Sequence, residues 1–421
     1  MSVTHIELLA TSLFCIAILH TFSASFFEHL AHKYPNHAGL WHLAGEVETV
    51  FGFWALVLII GMAVLDGNQG SAIEYLESRN YTEPLFVFAI MVVSASKPIL
   101  VLASTWVKYV SLGLSKLTKL NTAASNYVIT LSLVPLLGSF ITEPAAMTLA
   151  ALLLKEKVFS QSKNTKLLYL TIGVLFVNVS VGGALTNFAA PPILMVAGTW
   201  GWSTNFVFQT FGAKTIAIVL TNTLLATALC YKLLPSDNAS SPQESIPLSV
   251  SLVHLVFLVG VVVFAHHPAV FMGLLLFFMG YTHAYPKHQN PLLLKEALLV
   301  AFFLAGLVVL GGLQQWWLQP LLEKLNNVLV FFGAIGLTAI TDNAALTYLG
   351  SLVEGTSAEF KYSLVAGAIT GGGLTVIANA PNPAGLSILR EHFPEASVSA
   401  LYLFLAALPP TIIAAIAFQL F

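Results

Sequence analysis

The chain has 421 residues, of which 57% are hydrophobic and 9% are charged. Soluble domains carry about 25% charged residues, so this composition excludes an ordinary water-soluble domain and predicts a polytopic membrane protein. The formal net charge of −2 argues against nucleic acid as a partner. Membrane lipids are the surroundings that we expect for most of the chain.

Apolar segments long enough to cross a bilayer follow one another along the chain. A span needs about 20 apolar residues, and we predict an all-α fold with about ten spans in total. The ordinary spans are predicted at 6–27, 49–66, 85–104, 206–232, 248–266, 268–284, 292–313 and 397–421. No Lys or Arg precedes the first segment, so we expect it to be retained and not cleaved as a signal peptide.

Four further segments are too long, or too interrupted by Gly and Pro, to form one straight helix. Helix breaks at membrane depth are tolerated only where they are buried in protein or line a polar cavity, so these segments predict the position of a site. We predict re-entrant helical hairpins at 126–154 and 325–353, and discontinuous helices at 167–197 and 361–389.

The two halves of the chain contain matching motifs in the same order. ITEPAAMT at 141–148 matches ITDNAALT at 340–347 at an offset of 199 residues. Downstream, GALT at 183–186 matches GGLT at 372–375 at an offset of 189 residues. These matches indicate a duplication. The predicted units are an N-terminal repeat, a polar linker and a C-terminal repeat, at 1–234, 235–247 and 248–421.

Charge indicates that the repeats have inverted topology. Seven lysines and one glutamate flank 126–154, whereas the flanks of 325–353 have a net charge of −1. Cytoplasmic loops carry the excess of Lys and Arg, so the first hairpin is predicted to open to the cytoplasm and the second to the outside. Inverted repeats with broken helices are a common architecture of secondary transporters.

Glu143 and Asp342 are the acidic residues deep within the predicted hairpins, at equivalent repeat positions. An ionisable group at mid-membrane costs about 2.5–3.5 kcal/mol on the mildest scale, which makes each a functional candidate. Burial favours a protonated carboxyl group and a bound Na⁺ favours the ionised form, so one carboxylate can exchange the two ions. The structural alternative is a carboxylate that caps backbone amides of the hairpin.

Neutral oxygens in the same segments are candidate ligands for a dehydrated cation. The alternative is that these side chains only satisfy the broken backbone. The candidates are Thr142, Thr186, Asn187, Thr341, Asn343, Thr375, Asn379 and Asn382. Asn379 and Asn382 rank first because they bracket Pro381 in the break.

Lys97 lies within the apolar segment 85–104 and is the candidate charge partner of the two carboxylates. The alternative is a lysine that extends to the nearer membrane interface.

Histidines cluster in the loop after the first span. His29 and His32 have a spacing that could join a metal site, which leaves open a membrane-embedded metalloenzyme. A solvated loop is the favoured interpretation, because no second histidine group follows in another cytoplasmic loop. We therefore expect no resident metal and no cofactor.

The motifs at 138–148, 182–192, 336–347 and 371–383 resemble those of the ion transporter superfamily. That group includes D-type sodium/proton antiporters, arsenite transporters and divalent anion:sodium symporters, and the chain looks most like a sodium/proton antiporter family within it. The resemblance implies an acidic residue in each hairpin, which maps to Glu143 and Asp342. The chain departs from the antiporter pattern at Glu143-Pro144, where an Asp followed by Asn is expected. The Ser-Asn-Thr triplets of the symporters do not occur at the hairpin tips.

The sequence thus predicts a secondary transporter of the cell inner membrane, not an enzyme, which exchanges Na⁺ and H⁺. A sodium-coupled carboxylate or other anion symporter is the alternative, with Lys97 supplying positive charge for the substrate. Two acidic groups would repel an anion, which favours cation exchange. Small inorganic cations are the expected partners besides lipid, and the sequence is compatible with a homodimer.

Overall fold

The computed structural model describes residues 4–118, 120–235 and 246–420. Helices and their connections make up these residues, and no strand occurs among them. The first half contains α1 (His5–Thr21), α2 (Ala24–Lys33), α3 (Ala38–Gly45), α4 (Val47–Leu65), α5 (Gln69–Glu77), α6 (Thr82–Ser94), α7 (Lys97–Thr118), α8 (Thr122–Ile141), α9 (Glu143–Leu154), α10 (Thr165–Gly182), α11 (Pro191–Trp200), α12 (Thr204–Val207) and α13 (Ala213–Cys230).

The second half contains α14 (Leu248–Val263), α15 (Pro268–Ala284), α16 (Leu294–Gly311), α17 (Gln315–Leu322), α18 (Asn327–Ile340), α19 (Asn343–Ser351), α20 (Ala358–Gly371), α21 (Asn382–Leu389) and α22 (Ala400–Leu420). Most of the predicted polar linker, 236–245, lies outside the described residues.

Within the described ranges, 7 helices are long and apolar enough to cross a membrane. They are α4, α7, α8, α10, the continuous helix Thr204–Cys230, α16 and α22. Shorter apolar helices are α1, α6, α14, α15 and α18. The protein is therefore a polytopic membrane protein, as the composition predicts.

The predicted span 85–104 is wrong as a single helix. α6 ends at Ser94 and α7 begins at Lys97. Pro98 lies at the second position of α7, where its missing N–H costs no helical hydrogen bond, but it would remove one from the interior of a continuous helix. Lys97 consequently occupies a helix start and is half-buried.

Two pairs of consecutive helices form hairpins. In each pair, the start of the first helix lies beside the end of the second. The start of α8 and the end of α9 line the same cleft, together with Leu234. In the second hairpin, the backbone N–H of Glu354 after α19 donates to Oε1 of Gln319 in α17, just before α18, at 2.9 Å. The predicted hairpins 126–154 and 325–353 therefore correspond to α8–α9 and α18–α19.

The two broken helices, α10–α11 and α20–α21, run in opposite directions. Tyr169 at the start of α10 packs against Phe393 after the end of α21, with ring centroids 4.9 Å apart. At the other side, Lys361 at the start of α20 lies over the Trp200 ring at the end of α11, 5.4 Å from its centroid. The packing is crosswise, because α11 packs on α19 and α21 packs on α9.

Backbones come into direct contact where α16 crosses α4. A Cβ added to Gly306 would lie 2.3 Å from the backbone nitrogen of Gly52 and 2.4 Å from the carbonyl carbon of Phe51. Small residues at membrane helix crossings allow this close approach, since packing and not a hydrophobic driving force holds such helices together. Glycine at position 306 is therefore a requirement of the crossing.

Pro135 lies inside α8 and leaves the carbonyl of Leu131 without its usual helical donor. Two buried side chains from neighbouring helices supply donors to this oxygen. Asn178 Nδ2 of α10 lies 2.8 Å away and Thr223 Oγ1 of α13 lies 3.0 Å away. Side chains of α10 and α13 thus satisfy, at membrane depth, the carbonyl that Pro135 leaves without a helical hydrogen bond.

Candidate functional site

The tips of both hairpins and both helix breaks meet at an inner cavity of about 30 Å³. Thr142 and Pro144 reach it from the first hairpin, and Asp342 and Ala344 from the second. The breaks contribute Phe188, Ala189, Pro191 and Ala380. A cavity of this size holds one or two water-sized occupants. Its lining is mostly apolar, and Thr142 and Asp342 are the polar residues among those that line it.

Glu143 is the first residue of α9 and is fully buried, at 0% exposure. Its Oε2 accepts a hydrogen bond of 2.6 Å from Nδ2 of Asn379, which belongs to the break between α20 and α21. Its Oε1 has no hydrogen-bond partner among the described residues. A buried carboxyl oxygen without a partner is costly unless a proton or a cation satisfies it.

Thr142 immediately before Glu143 has φ 74° and ψ 152°, a region that β-branched residues rarely occupy. Its Oγ1 lies 3.3 Å from Oγ of Ser94 at the end of α6, and either hydroxyl could be the donor. The strained residue turns the chain sharply between α8 and α9. This turn places the Glu143 side chain at the hairpin tip.

Asp342 is the N-cap of α19. Its Oδ1 accepts from the backbone N–H groups of Ala344 and Ala345, at 2.8 and 3.1 Å. The capping role that the sequence left open is therefore present. Asp342 also lines the inner cavity. Capping and exposure to the cavity occur together at this residue.

Asn343 and Asn379 bring further oxygens to the hairpin tips. Both are buried, and the Oδ1 atom of each lacks a partner within the described ranges. The backbone N–H of Asn343 donates to the carbonyl of Ala378 at 3.1 Å, which ties the second tip to the second break. Two amide oxygens and Glu143 Oε1 are thus buried without partners.

Three of the predicted residues satisfy broken backbone. Thr186 Oγ1 donates to the Ser139 carbonyl at 2.7 Å, and Thr375 Oγ1 donates to the Ala339 carbonyl at 2.8 Å. Asn382 Nδ2 donates to two carbonyls of the second break, those of Gly372 and Thr375, both at 2.8 Å. The contacts of these three side chains thus show the alternative role, which is to satisfy backbone carbonyls.

Two other predicted residues form their hydrogen bonds with groups other than the two carboxyl groups. Asn187 Nδ2 donates to the Trp202 carbonyl at 2.9 Å, and its Oδ1 accepts from Thr204 at 2.7 Å. Thr341 Oγ1 donates to the Leu337 carbonyl of its own helix at 2.8 Å. Asn187 lines an outer cavity and not the inner one.

The sequence prediction did not include Ser139, Gly183 and Gly372. Ser139 Oγ donates to the Gly182 carbonyl at 2.7 Å and accepts from the N–H of Leu185 at 2.9 Å. A Cβ on Gly183 would lie 2.4 Å from Glu143 Oε1, and one on Gly372 would lie 2.8 Å from Asn343 Nδ2. The two glycines occupy matching repeat positions, which is the signal that could have identified them.

The histidines after α1 do not form a metal-binding group with the other described side chains. His29 and His32 are exposed, as are His37 and His42. No group of three or more His, Cys, Asp or Glu residues could hold a metal ion in the ranges 4–118, 120–235 and 246–420. The pairing of Lys97 with a hairpin carboxylate stays a prediction.

A family model described as "Putative Na+/H+ antiporter" matches residues 5–421. No curated protein matches the chain. The family match covers nearly the whole chain and points to a transporter, not an enzyme. Together with the apolar helices, it agrees with a multi-pass membrane protein. The chain belongs to the "Putative Na+/H+ antiporter" family.

Proposed function

We propose that the protein is a sodium/proton antiporter of the cell inner membrane that exchanges the two ions where the tips of the two hairpins meet the two helix breaks. The observation that carries the proposal is the environment of Glu143. This carboxyl group is fully buried, one oxygen accepts from Asn379, and the other has no partner among the described residues. A proton on Oε1 or a cation beside it would satisfy the free oxygen.

The exchange follows from competition at one group. Protonated Glu143 is neutral, which burial favours, whereas ionised Glu143 attracts a cation. The amide oxygens of Asn343 and Asn379 are of the kind that coordinates a dehydrated Na⁺. Because proton and cation would occupy the same place, each carboxyl group carries one or the other across the membrane.

The antiparallel course of the two broken helices supports the inverted-repeat interpretation. In that arrangement α8–α9 and α18–α19 open to opposite sides, and their tips meet near the middle of the bilayer. Matching positions then supply one carboxyl group each, Glu143 and Asp342. The crosswise contacts of α11 with α19 and of α21 with α9 join the two repeats at the cavity.

The inner cavity does not favour the anion symporter. Its volume of about 30 Å³ is suited to a small ion and is too small for a dicarboxylate. Two acidic side chains at the tips would also repel a carboxylate.

The test is transport by purified protein in proteoliposomes with a trapped pH dye. Na⁺, Li⁺, K⁺ and a dicarboxylate are added in turn, and we expect proton movement with Na⁺. Glu143→Gln and Asp342→Asn remove titration while keeping side-chain size, so each should abolish Na⁺-dependent proton movement. Glu74→Gln, at an exposed position of α5, is the control and should exchange like the parent. Exchange at the parent rate by both hairpin variants would refute the assignment.

A further inference from the structure

A second, larger cavity opens beside the first helix break. Its volume is about 540 Å³, and its lining includes Glu83, Asn187, Phe188, Leu194, Thr204 and His266. We call it the outer vestibule. At roughly 30 Å³ per water it has room for more than ten water molecules, so a cation inside it can keep its hydration shell.

Glu83 is the acidic residue among the described residues that line the outer vestibule. It lies in the first turn of α6 and is half-buried. A Cβ added to Gly198 of α11 would lie 2.9 Å from Glu83 Oε1, so the carboxylate rests against the helix that follows the first break. A charge held against low-dielectric walls attracts oppositely charged ions more strongly than one in open solvent.

The outer vestibule adjoins the inner cavity. Phe188 and Leu194 line both, so these two apolar side chains separate them. Glu83 also lines an adjoining cavity of about 240 Å³ together with Ser351 and Leu352, at the end of the second hairpin. The outer vestibule therefore opens on the side to which the second hairpin opens, which the charge pattern predicts to be the outside.

We propose that Glu83 forms a second cation site, in which a hydrated monovalent cation waits in the outer vestibule before it loses its water and passes Phe188 and Leu194. The site deepens the proposed antiport function and rests on it. Two groups limit its strength, because the histidine His266 faces the vestibule and the positively charged Arg79 lines the adjoining cavity. The site is accordingly one of capture, whereas the carboxyl groups at the hairpin tips are the site of exchange.

The first experiment measures Na⁺ kinetics from each side of the membrane in proteoliposomes of known orientation. Glu83→Gln should raise the KM for Na⁺ on the vestibule side about 3- to 10-fold, the effect of one unit charge a few ångströms away in a medium between water and protein. The KM on the opposite side and the rate at saturating Na⁺ should not change. Glu77→Gln, exposed on the neighbouring α5, is the matched control. An unchanged KM, or an equal change on both sides, would overturn the proposal.

The second experiment does not depend on transport. Ala265→Cys lies on the vestibule wall, in a background in which Cys15 and Cys230 are replaced. Cationic and anionic methanethiosulfonate reagents of similar size are compared for their reaction rates. The cationic reagent should react faster, and Glu83→Gln should reduce the ratio about 3-fold or more. A ratio that Glu83→Gln leaves unchanged refutes the cation site, whereas a parent protein without Na⁺/H⁺ exchange refutes the antiport function alone.

Discussion

Asn379 lies in the second break and Asn382 begins α21 three residues later, and the two have different partners. Asn379 donates to the carboxyl group of Glu143, whereas Asn382 donates to backbone carbonyls. One amide therefore acts on the ionisable group, and the other holds the unwound chain. Substitution should separate these roles.

Asn379→Ala removes the donor to Glu143 Oε2, which is a hydrogen bond to an ionisable group worth about 1.5–3 kcal/mol. We expect a shift in the pH dependence of exchange with little change in folding, measured by dye-based transport and size-exclusion profiles. Asn382→Ala should instead lower the yield of folded protein, because two buried carbonyls lose their donor. Equal effects of both variants on folding, without a pH shift for Asn379→Ala, would contradict the distinction.

For individual residues, the matching motifs of the two halves predicted the position of the site better than the chemical type of each side chain did. The matching motifs identified Glu143 and Asp342 as hairpin-tip residues, and the structure places Thr142 and Asp342 at one cavity. The contact of Asn379 with Glu143 joins positions 236 residues apart, so it depends on packing between halves that local sequence does not encode. Asn187 lies elsewhere because Trp202 and Thr204, after the turn at the end of α11, are its partners.

Among the helices, α8 illustrates how a proline is accommodated in a membrane protein. The carbonyl of Leu131 has no donor within α8, because Pro135 lacks an N–H. Asn178 and Thr223, from two other helices, donate to this carbonyl instead. The arrangement fixes α8 against α10 and α13, the helices beside the first hairpin. Its stability should therefore depend on these side chains.

Asn178→Leu should lower the free energy of unfolding by about 1–2 kcal/mol, because a buried carbonyl loses one of its two donors. Thr223→Ala should cost less, since Asn178 still donates to the carbonyls of Leu131 and Val219 and still accepts from Asn222. The measurement is unfolding of the detergent-solubilised protein in a titration with sodium dodecyl sulfate.

Thr227→Ala is the control, because Thr227 donates only to a carbonyl of its own helix in the contacts that the structure describes. If Thr227→Ala lowers the free energy of unfolding as much as Asn178→Leu does, the hydrogen bonds between helices are not the cause of the lost stability.

Composition predicted the bounds of most of the ordinary spans to within a few residues, although the predicted span 6–27 is divided between α1, which ends at Thr21, and α2, which begins at Ala24. The breaks within 167–197 and 361–389 were predicted from Gly and Pro and fall at 183–190 and 372–381. The interruption between α6 and α7 was missed because only Pro98 marks it, and a single proline is also compatible with a kinked helix. Local sequence does not decide between these outcomes, since neighbouring helices determine whether the freed backbone groups find partners.

For the whole molecule, the orientation of the two hairpins is the central prediction. Single cysteines at Ser160 and Ser357, in a background without Cys15 and Cys230, should react from opposite sides of the membrane. We expect Ser160→Cys to react from the cytoplasm, because basic residues flank the first hairpin, and Ser357→Cys from outside. The measurement is labelling by an impermeant maleimide in intact cells and in inverted vesicles. Reaction of both from one side would end the inverted-repeat interpretation.

The crosswise packing of the broken helices could not be predicted from the sequence. The motifs indicated that the halves are related, but they do not specify that α11 packs on α19 and α21 on α9. Such contacts depend on how closely two helix backbones can approach, and the size of each side chain at the contact limits this approach. Gly385 of α21 is an example, because a Cβ there would lie 2.5 Å from Sδ of Met147 in α9.

The crossing of α16 and α4 at Gly306 has a consequence for inheritance. Every single-base change in a glycine codon that alters the amino acid introduces a Cβ, and at this position the Cβ would overlap the backbone of Gly52. No amino-acid substitution at position 306 is therefore neutral, and a second change in the partner helix cannot compensate, because the added Cβ would meet main-chain atoms. Gene variants of this protein should thus retain glycine there, even where the surrounding lipid-facing positions drift freely.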